Sequence, residues 1–420
     1  MNFSAILHGF HSHVPDKPPH RRSQMATSTH PPTRLMGMNS FGADDKNTGG
    51  VSPTNSDTQP QTLPGEDRGR REQERQAQER ARQQAITDAP YVAVTIQSSG
   101  IHPSTSRMIT FTAITLTADN EPVETFHAVL NPGSDPGPFH LHGVTDEEFR
   151  SARRFSQILK AVDRLIDGRT LILHNAPRTW GFIVSEAKRA MNDAARANRS
   201  TSRNSRRGGR GRRRQRVGHI PRPVLIVDTL ASARRQGVVL DDVRIRGVAH
   251  ALGLDTPPAV ATTERAGVPH EQLCRESTRL VADLYFTLRE RGELATQTPD
   301  NLRADRFGLQ RSHIRVQAQE EKPTLINPGV YQPGTSLVAG MEVVVAPEIE
   351  MDPDIIIQAA VDAGLSYSEK LTRQTSVVVC NQTRDIDGKA MHAQRKNIPL
   401  LSDVAFLRAV ERVRDGKVAE

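Results

Sequence analysis

The chain is poor in cysteine, in aromatic side chains and in long apolar runs, and each shortage excludes something. Only 2 cysteines occur in 420 residues, Cys274 and Cys380, far apart and outside any Cys-x-x-Cys pattern. That excludes a disulfide framework and a thiolate zinc site, and suits a reducing compartment. Aromatics make up 4% of the chain and hydrophobic residues 36%, too little for all of it to pack into cores. No apolar run approaches the ~20 residues that a membrane-spanning helix needs. Residues 1–10 are too short and too poorly flanked for a secretory signal, and Met25, Met36 and Met38 are alternative starts. The expectation is a soluble, cytoplasmic protein. Its formal charge of +8 favours an anionic partner such as nucleic acid.

What is present is unevenly spread. Residues 1–88 are rich in Pro, Ser, Thr and Gly, without apolar periodicity, and are expected to form a disordered tail. Within them the Arg/Gln/Glu-rich run 68–84 is polar all round, at most a transient helix. Order begins at Tyr91, where Tyr91-Val92-Ala93-Val94-Thr95-Ile96 reads as a buried strand. Two further strands, 108–117 and 125–130, precede helices at 146–154, 155–166 and 181–198. Strands at 170–173 and 224–227 and helices at 229–235, 243–252 and 270–291 complete a mixed sheet flanked by helices. Residues 295–333 are polar and proline-containing and read as a linker. A second, smaller strand–helix alternation occupies 334–415. The expected class is α/β throughout, with one module at 89–294 and another at 334–415.

Landmarks in the first module arrive in a particular order. They are Thr95-Ile96-Gln97-Ser98-Ser99-Gly100, Asn131-Pro132-Gly133, His142-Gly143-Val144-Thr145, His174-Asn175-Ala176-Pro177-Arg178-Thr179-Trp180-Gly181-Phe182-Ile183, and His270 to Arg275. In this order they resemble DnaQ-like 3′→5′ exonucleases of the DEDDh type, related to the proofreading subunit of bacterial replicative polymerases. The resemblance implies an RNase H-like fold and a site where four carboxylates hold two divalent metals beside a histidine base. It places those carboxylates at Thr95, Gln97, Thr179 and Arg275, and the base at His270. None of the four is acidic. Neutral oxygens are weak ligands for a hard cation, and Arg275 would set a permanent positive charge in the site. Without a metal-bound water His270 has nothing to activate. The module is therefore expected to be catalytically silent, with no cofactor. The alternatives are an active exonuclease using Mg²⁺ or Mn²⁺ on non-standard ligands, with Glu276, Glu186 or Asp228 as candidate acids, and a pure interaction scaffold.

Losing acids while carrying Arg178 and Arg275 inverts the charge expected of the cleft, which would either bind phosphate directly or merely solvate a decayed site. His174 and Asn175 either contact nucleic acid or cap the strand end, and Trp180 reads as core. An insertion at 196–218 carries Arg203, Arg206, Arg207, Arg210, Arg212, Arg213, Arg214 and Arg216, with no acid between 203 and 216. Such a segment attracts a polyanion through counterion release, and its lack of aromatics implies no base readout.

The second module carries Leu337-Val338-Ala339-Gly340, Ala363-Gly364-Leu365, Thr375-Ser376-Val377-Val378-Val379-Cys380, Gly388-Lys389-Ala390-Met391-His392-Ala393 and Ile398-Pro399-Leu400-Leu401, with Phe406 beyond. Together these resemble a BRCT domain, which implies docking to a protein, a phosphopeptide or a DNA end. Lys389 matches the family's phosphate-binding lysine, but Ala346-Pro347 stands where a hydroxyl and a backbone N–H are needed, and proline has no N–H. The combined expectation is a nucleic-acid-binding, non-hydrolytic protein of DNA repair or replication, with a protein partner on the second module.

Overall fold

The computed structural model describes residues 64–205, 216–260, 262–384 and 386–418. It opens on helix α1 (Pro64–Asp88), which corrects the expectation of a disordered tail as far as residue 88. The helix has no apolar stripe of its own and is held at its C-terminal end. Arg82 pairs with Asp167 at 3.1 Å, and Arg169 donates to the carbonyls of Ala85 and Ala89 at 3.0 and 2.7 Å. The rest of the expected tail, residues 1–63, lies outside the described residues.

Strands β1 (Tyr91–Ser98), β2 (Met108–Leu116) and β3 (Pro122–Val129) form an antiparallel meander. Short helices α2 (Phe139–His142) and α3 (Asp146–Ser151) lead to α4 (Phe155–Ile166), β4 (Thr170–Leu173) and the long α5 (Ala176–Ser205). Then come β5 (Leu225–Asp228), α6 (Thr229–Arg235), α7 (Ile245–Ala251), α8 (Thr263–Ala266), α9 (His270–Arg291) and β6 (Thr296–Gln297). The strands assemble in the order β3-β2-β1-β4-β5-β6, with β1, β4 and β5 parallel and the rest antiparallel. The sheet is mixed and the fold is α/β.

The two-residue period of β1 explains how both faces are covered. Val92 and Val94 join Leu171 and Leu173 in a core roofed by α4 and α5. Ala93 points the other way, with Ile172 and Val227, onto Val281, Ala282 and Tyr285 of α9. Thr95 and Gln97 continue the Ala93 face, so the strand's polar end is delivered beneath the start of α9.

The stretch 295–333 is folded rather than an open linker. Besides β6 it contains a hairpin of β7 (Leu302–Ala304) and β8 (Gln310–Ser312), then α10 (His313–Glu320). Asp305 organises the hairpin turn: its Oδ1 accepts from the N–H groups of Phe307 and Leu309 at 2.8 and 3.0 Å, and its Oδ2 takes Arg311 at 3.1 Å.

The second module continues with β9 (Glu342–Val345), α11 (Pro353–Asp362), β10 (Ser366–Tyr367), β11 (Thr375–Val379), α12 (Gly388–Arg395), β12 (Leu400–Leu401) and α13 (Asp403–Val410). Its sheet is parallel, ordered β10-β9-β11-β12. Alternation works here too. Val343, Val345, Val377 and Val379 pack on Ile356, Ile357 and Phe406, whereas Val344 and Val378 pack on Ala390 and Ala393 of α12. Among the described residues no helix is long and apolar enough to cross a membrane.

Candidate functional site

The polar end of β1 meets the first two turns of α9. Gln97 Oε1 accepts from His270 Nε2 at 2.6 Å and from the Thr110 hydroxyl at 3.3 Å. Thr95 Oγ1 lies 2.5 Å from Thr278 Oγ1. The buried Thr179 hydroxyl donates to the carbonyl of His174 at 3.2 Å. Cys274 fills the space between, its Sγ 3.4 Å from His270 Nε2, and burial pushes its thiol up to about 11. His127, on β3, faces His270 with ring centroids 5.8 Å apart and bonds the Thr112 hydroxyl through Nδ1 at 2.9 Å. Burial lowers the pKa of both histidines. The turn His142-Gly143-Val144-Thr145 closes over the site, and Gly143 adopts φ 70° with space for a Cβ only 3.6 Å from His270 Cδ2.

Arg275 is not part of this cluster, which corrects the expectation. Its side chain is 50% exposed and pairs with Glu271 on the same helix. The reason is helical geometry: four residues after His270 return to its face, and a fifth adds ~100° of rotation. Cys274 and Thr278 therefore take the inward positions, four and eight residues on. Sequence reasoning missed both, although the i, i+4, i+8 spacing from His270 was the available signal. Of the two arginines expected there, that leaves Arg178, whose partners are Ser98, the Gly100 carbonyl and the Phe182 ring.

Arg178 donates to Ser98 Oγ at 2.5 Å, stacks 5.3 Å from the Phe182 ring centroid, and has its pKa lowered by burial. Among the described residues it pairs with no carboxylate. His174 is committed locally, its Nδ1 to the Thr229 hydroxyl and its Nε2 to the carbonyl of Val243, each at 2.8 Å. Asn175, at φ 58°, starts α5 with its carbonyl accepting from the N–H groups of Arg178 and Thr179. Trp180 is 2% exposed and belongs to the core. The expected insertion at 196–218 begins inside α5; Arg206, Arg207, Arg210, Arg212, Arg213 and Arg214 lie outside the described residues, and Arg216 is exposed.

The substitute acids are engaged elsewhere. Glu186 is gripped by Arg107 at 2.7 and 3.0 Å and by Arg189 at 3.0 Å. Asp228 caps α6 through the N–H groups of Leu230 and Ala231 and also accepts from Ala176. Glu276 takes Arg246 at 3.2 Å. Among the described residues no three His, Cys, Asp or Glu side chains are grouped to hold a metal. The donors beside His270 are hydroxyls, an amide and a thiol already bonded to one another, a set that does not fit a pair of hard divalent ions.

In the second module Lys389 Nζ donates to the carbonyl of Val345 at 2.9 Å and lies 4.0 Å from Glu369. Burial brings it down to about 8.

The sequence model of a family described as an exonuclease matches residues 98–216. The chain is 30% identical over 100 residues to a DNA polymerase III of PolC type from Streptococcus sanguinis (strain SK36), covering 23% of this chain and 7% of that protein. It is 33% identical over 66 residues to the DNA polymerase III subunit epsilon of Pasteurella multocida (strain Pm70), covering 15% of this chain and 26% of that one. The chain carries an exonuclease-family domain. Its likeness to those two relatives spans about a quarter or less of their length. Among solved structures, a full-length 3′-exonuclease aligns with a TM-score of 0.35 at 15% identity, over 53% of this chain and 65% of that one. E. coli exonuclease I in complex with a dT13 oligonucleotide aligns at 0.31 and 13%, over 48% and 42%.

Proposed function

We propose that the exonuclease-family domain binds a nucleic-acid strand in its cleft without metal-dependent hydrolysis. We further propose that the second module is a BRCT-like docking unit, in a protein of DNA repair or replication. The observation that carries the first part is the donor set around His270. The resemblance puts the metal-binding carboxylates at Thr95, Gln97, Thr179 and Arg275; the first three are spent on neutral hydrogen bonds, Arg275 turns outward to Glu271, and Cys274 contacts His270 in its stead. A two-metal mechanism depends on ions that generate the nucleophile and stabilise the leaving oxygen. What the domain offers instead is Arg178 at the end of β1, a guanidinium with no carboxylate partner among the described residues, suited to a phosphate oxygen.

The BRCT-like reading is supported by the parallel sheet with its first strand inside, in the order β10-β9-β11-β12. A phosphopeptide role is not supported, because Lys389 is already tied to Val345 and Glu369 and Pro347 offers no N–H.

The test is direct. Purified full-length protein is incubated with a 5′-labelled single strand in Mg²⁺ or Mn²⁺, and its binding to the same strand is measured in EDTA. Binding without shortening is expected. Processive loss of the 3′ end that survives in Arg178→Met but vanishes in His270→Ala would sink the reading.

A further inference from the structure

Resting on that reading, we infer that the nucleic-acid path leaves the cleft and crosses a second, built contact on the β7–β8 hairpin, centred on Arg306, Phe307 and Lys370. The hairpin is locked to the cleft wall. Gly308 sits at φ 80° with its missing Cβ only 2.8 Å from the Ser104 nitrogen, and Gly181 of α5 faces the Gly308 carbonyl at 2.7 Å from its own missing Cβ. Ser104 N–H donates to the carbonyl of Phe307 at 3.1 Å. Gly181 lies three residues beyond Arg178 on the same helix, so hairpin and cleft guanidinium share a support.

On this platform the Phe307 ring stacks on His102 with centroids 4.5 Å apart and planes at 21°. Arg306 Cζ lies 4.6 Å from the same ring centroid and Lys370 Nζ 5.4 Å. Both cations are exposed, and among the described residues neither pairs with a carboxylate. Nearby acids are consumed. Asp305 is bound to its own turn and to Arg311, and Glu369 is divided between Arg311 at 3.1 Å and Arg315 at 2.9 Å. Two like charges gathered on one ring with no counter-ion match a phosphate, and the aromatic pair beneath matches a base face. Residues 98–102 join the two contacts: Ser98 holds Arg178, Gly100 precedes the exposed Ile101, and His102 carries Phe307. A short strand would reach only the cleft; a longer one would reach both.

The experiment compares fluorescein-labelled dT4 and dT20 on the full chain by anisotropy, across a salt series. For Arg306→Glu combined with Lys370→Glu, dT20 binding is expected to fall at least about tenfold, as expected for two lost phosphate contacts. The dependence of log K on log salt should flatten by about 1.4, at roughly 0.7 per contact on a single strand. Binding of dT4 should stay within about twofold of wild type. Unchanged dT20 affinity overturns this inference and leaves the cleft reading standing, whereas a wild type that binds neither oligonucleotide overturns both. If poly-glutamate of matched charge displaces dT20 as well as unlabelled dT20 does, the surface is a site for acidic protein segments and the inference falls.

Discussion

At the end of β1, polar side chains meet with no carboxylate among them; beyond β10, three cations converge on one. The first centre is neutral: Thr95, Gln97, Thr278 and Cys274 bond each other and His270. The second is fully charged: Glu369 receives Arg311, Arg315 and the Tyr367 hydroxyl, with Lys389 at 4.0 Å. Burial by itself would raise the Glu369 pKa, but Arg315, Arg311 and Lys389 outweigh it and bring it down to about 2. The difference teaches where charge is indispensable to this chain. The centre at the end of β1 is held by neutral hydrogen bonds and needs no ion pair. The Glu369 centre cannot lose its acid without stranding the cations around it. It also joins the hairpin, through Arg311, to the second module.

The largest effect should therefore come from Glu369→Gln. Removing one partner from a buried ionic cluster costs about 3–5 kcal/mol, because the remaining charges stay desolvated. Urea denaturation at pH 7 measures it. The same variant tests the sign of the acid response. The Glu369 pKa is depressed from 4.5 to about 2 in the folded chain, so its contribution is complete above 4.5 and is lost as pH falls toward 2. Wild type should lose stability across that window more steeply than the variant. Parallel curves would mean that Glu369 is not the acid that matters.

A second contrast probes the neutral centre and the register of α9. Placing a carboxylate at Cys274→Asp buries a charge among neutral donors and should cost on the order of 2 kcal/mol. Arg275→Asp, one position on but exposed, should cost under about 1 kcal/mol, the range of a surface pair. Equal costs would break the assignment of Cys274, rather than Arg275, to the cleft.

That register also marks the limit of what the sequence disclosed. The sheet and the helices over it were legible, because Tyr91 to Ile96, 170–173 and 225–227 are apolar runs with clear ends. Gln97 and His270 were legible as neighbours from the landmarks around them, and they hydrogen-bond at 2.6 Å. Arg275 was misplaced because matching a motif by position ignores the rotation of a helix that begins at His270 itself. His127 was invisible: it arrives from β3, and only strand pairing brings it beside Thr112. The hairpin at 302–312 was hidden for another reason. Its strands are three residues each, and its stability comes from Asp305, Arg311 and Gly308 contacts rather than from apolar alternation.

Near neutral pH the comparison predicts a smaller response of the same sign around His270. Burial lowers the His270 and His127 pKa values below 6.5, so the unfolded chain takes up protons first as pH falls. Stability should decline below pH 6.5 and reach its floor under the folded-state values. His270→Gln combined with His127→Gln should flatten the thermal-melting midpoint between pH 7 and 5. An unaltered slope there would move the acid sensitivity to other groups.

The smallest effect is expected from Lys389→Met. This lysine holds its proton at a cost, since burial brings it from 10.5 down to about 8 despite the attraction of Glu369. Removing it gives up the bond to Val345 but also the desolvated charge, so stability at pH 7 should change by under about 1 kcal/mol. The signature lies at alkaline pH. Between 8 and 10.5 the unfolded chain retains a proton that the folded chain has released, so wild-type stability should gain a rising component with pH. The methionine variant should lack that component. If wild type and variant run parallel there, Lys389 is solvated like a surface residue, and the charged centre contains only two working cations.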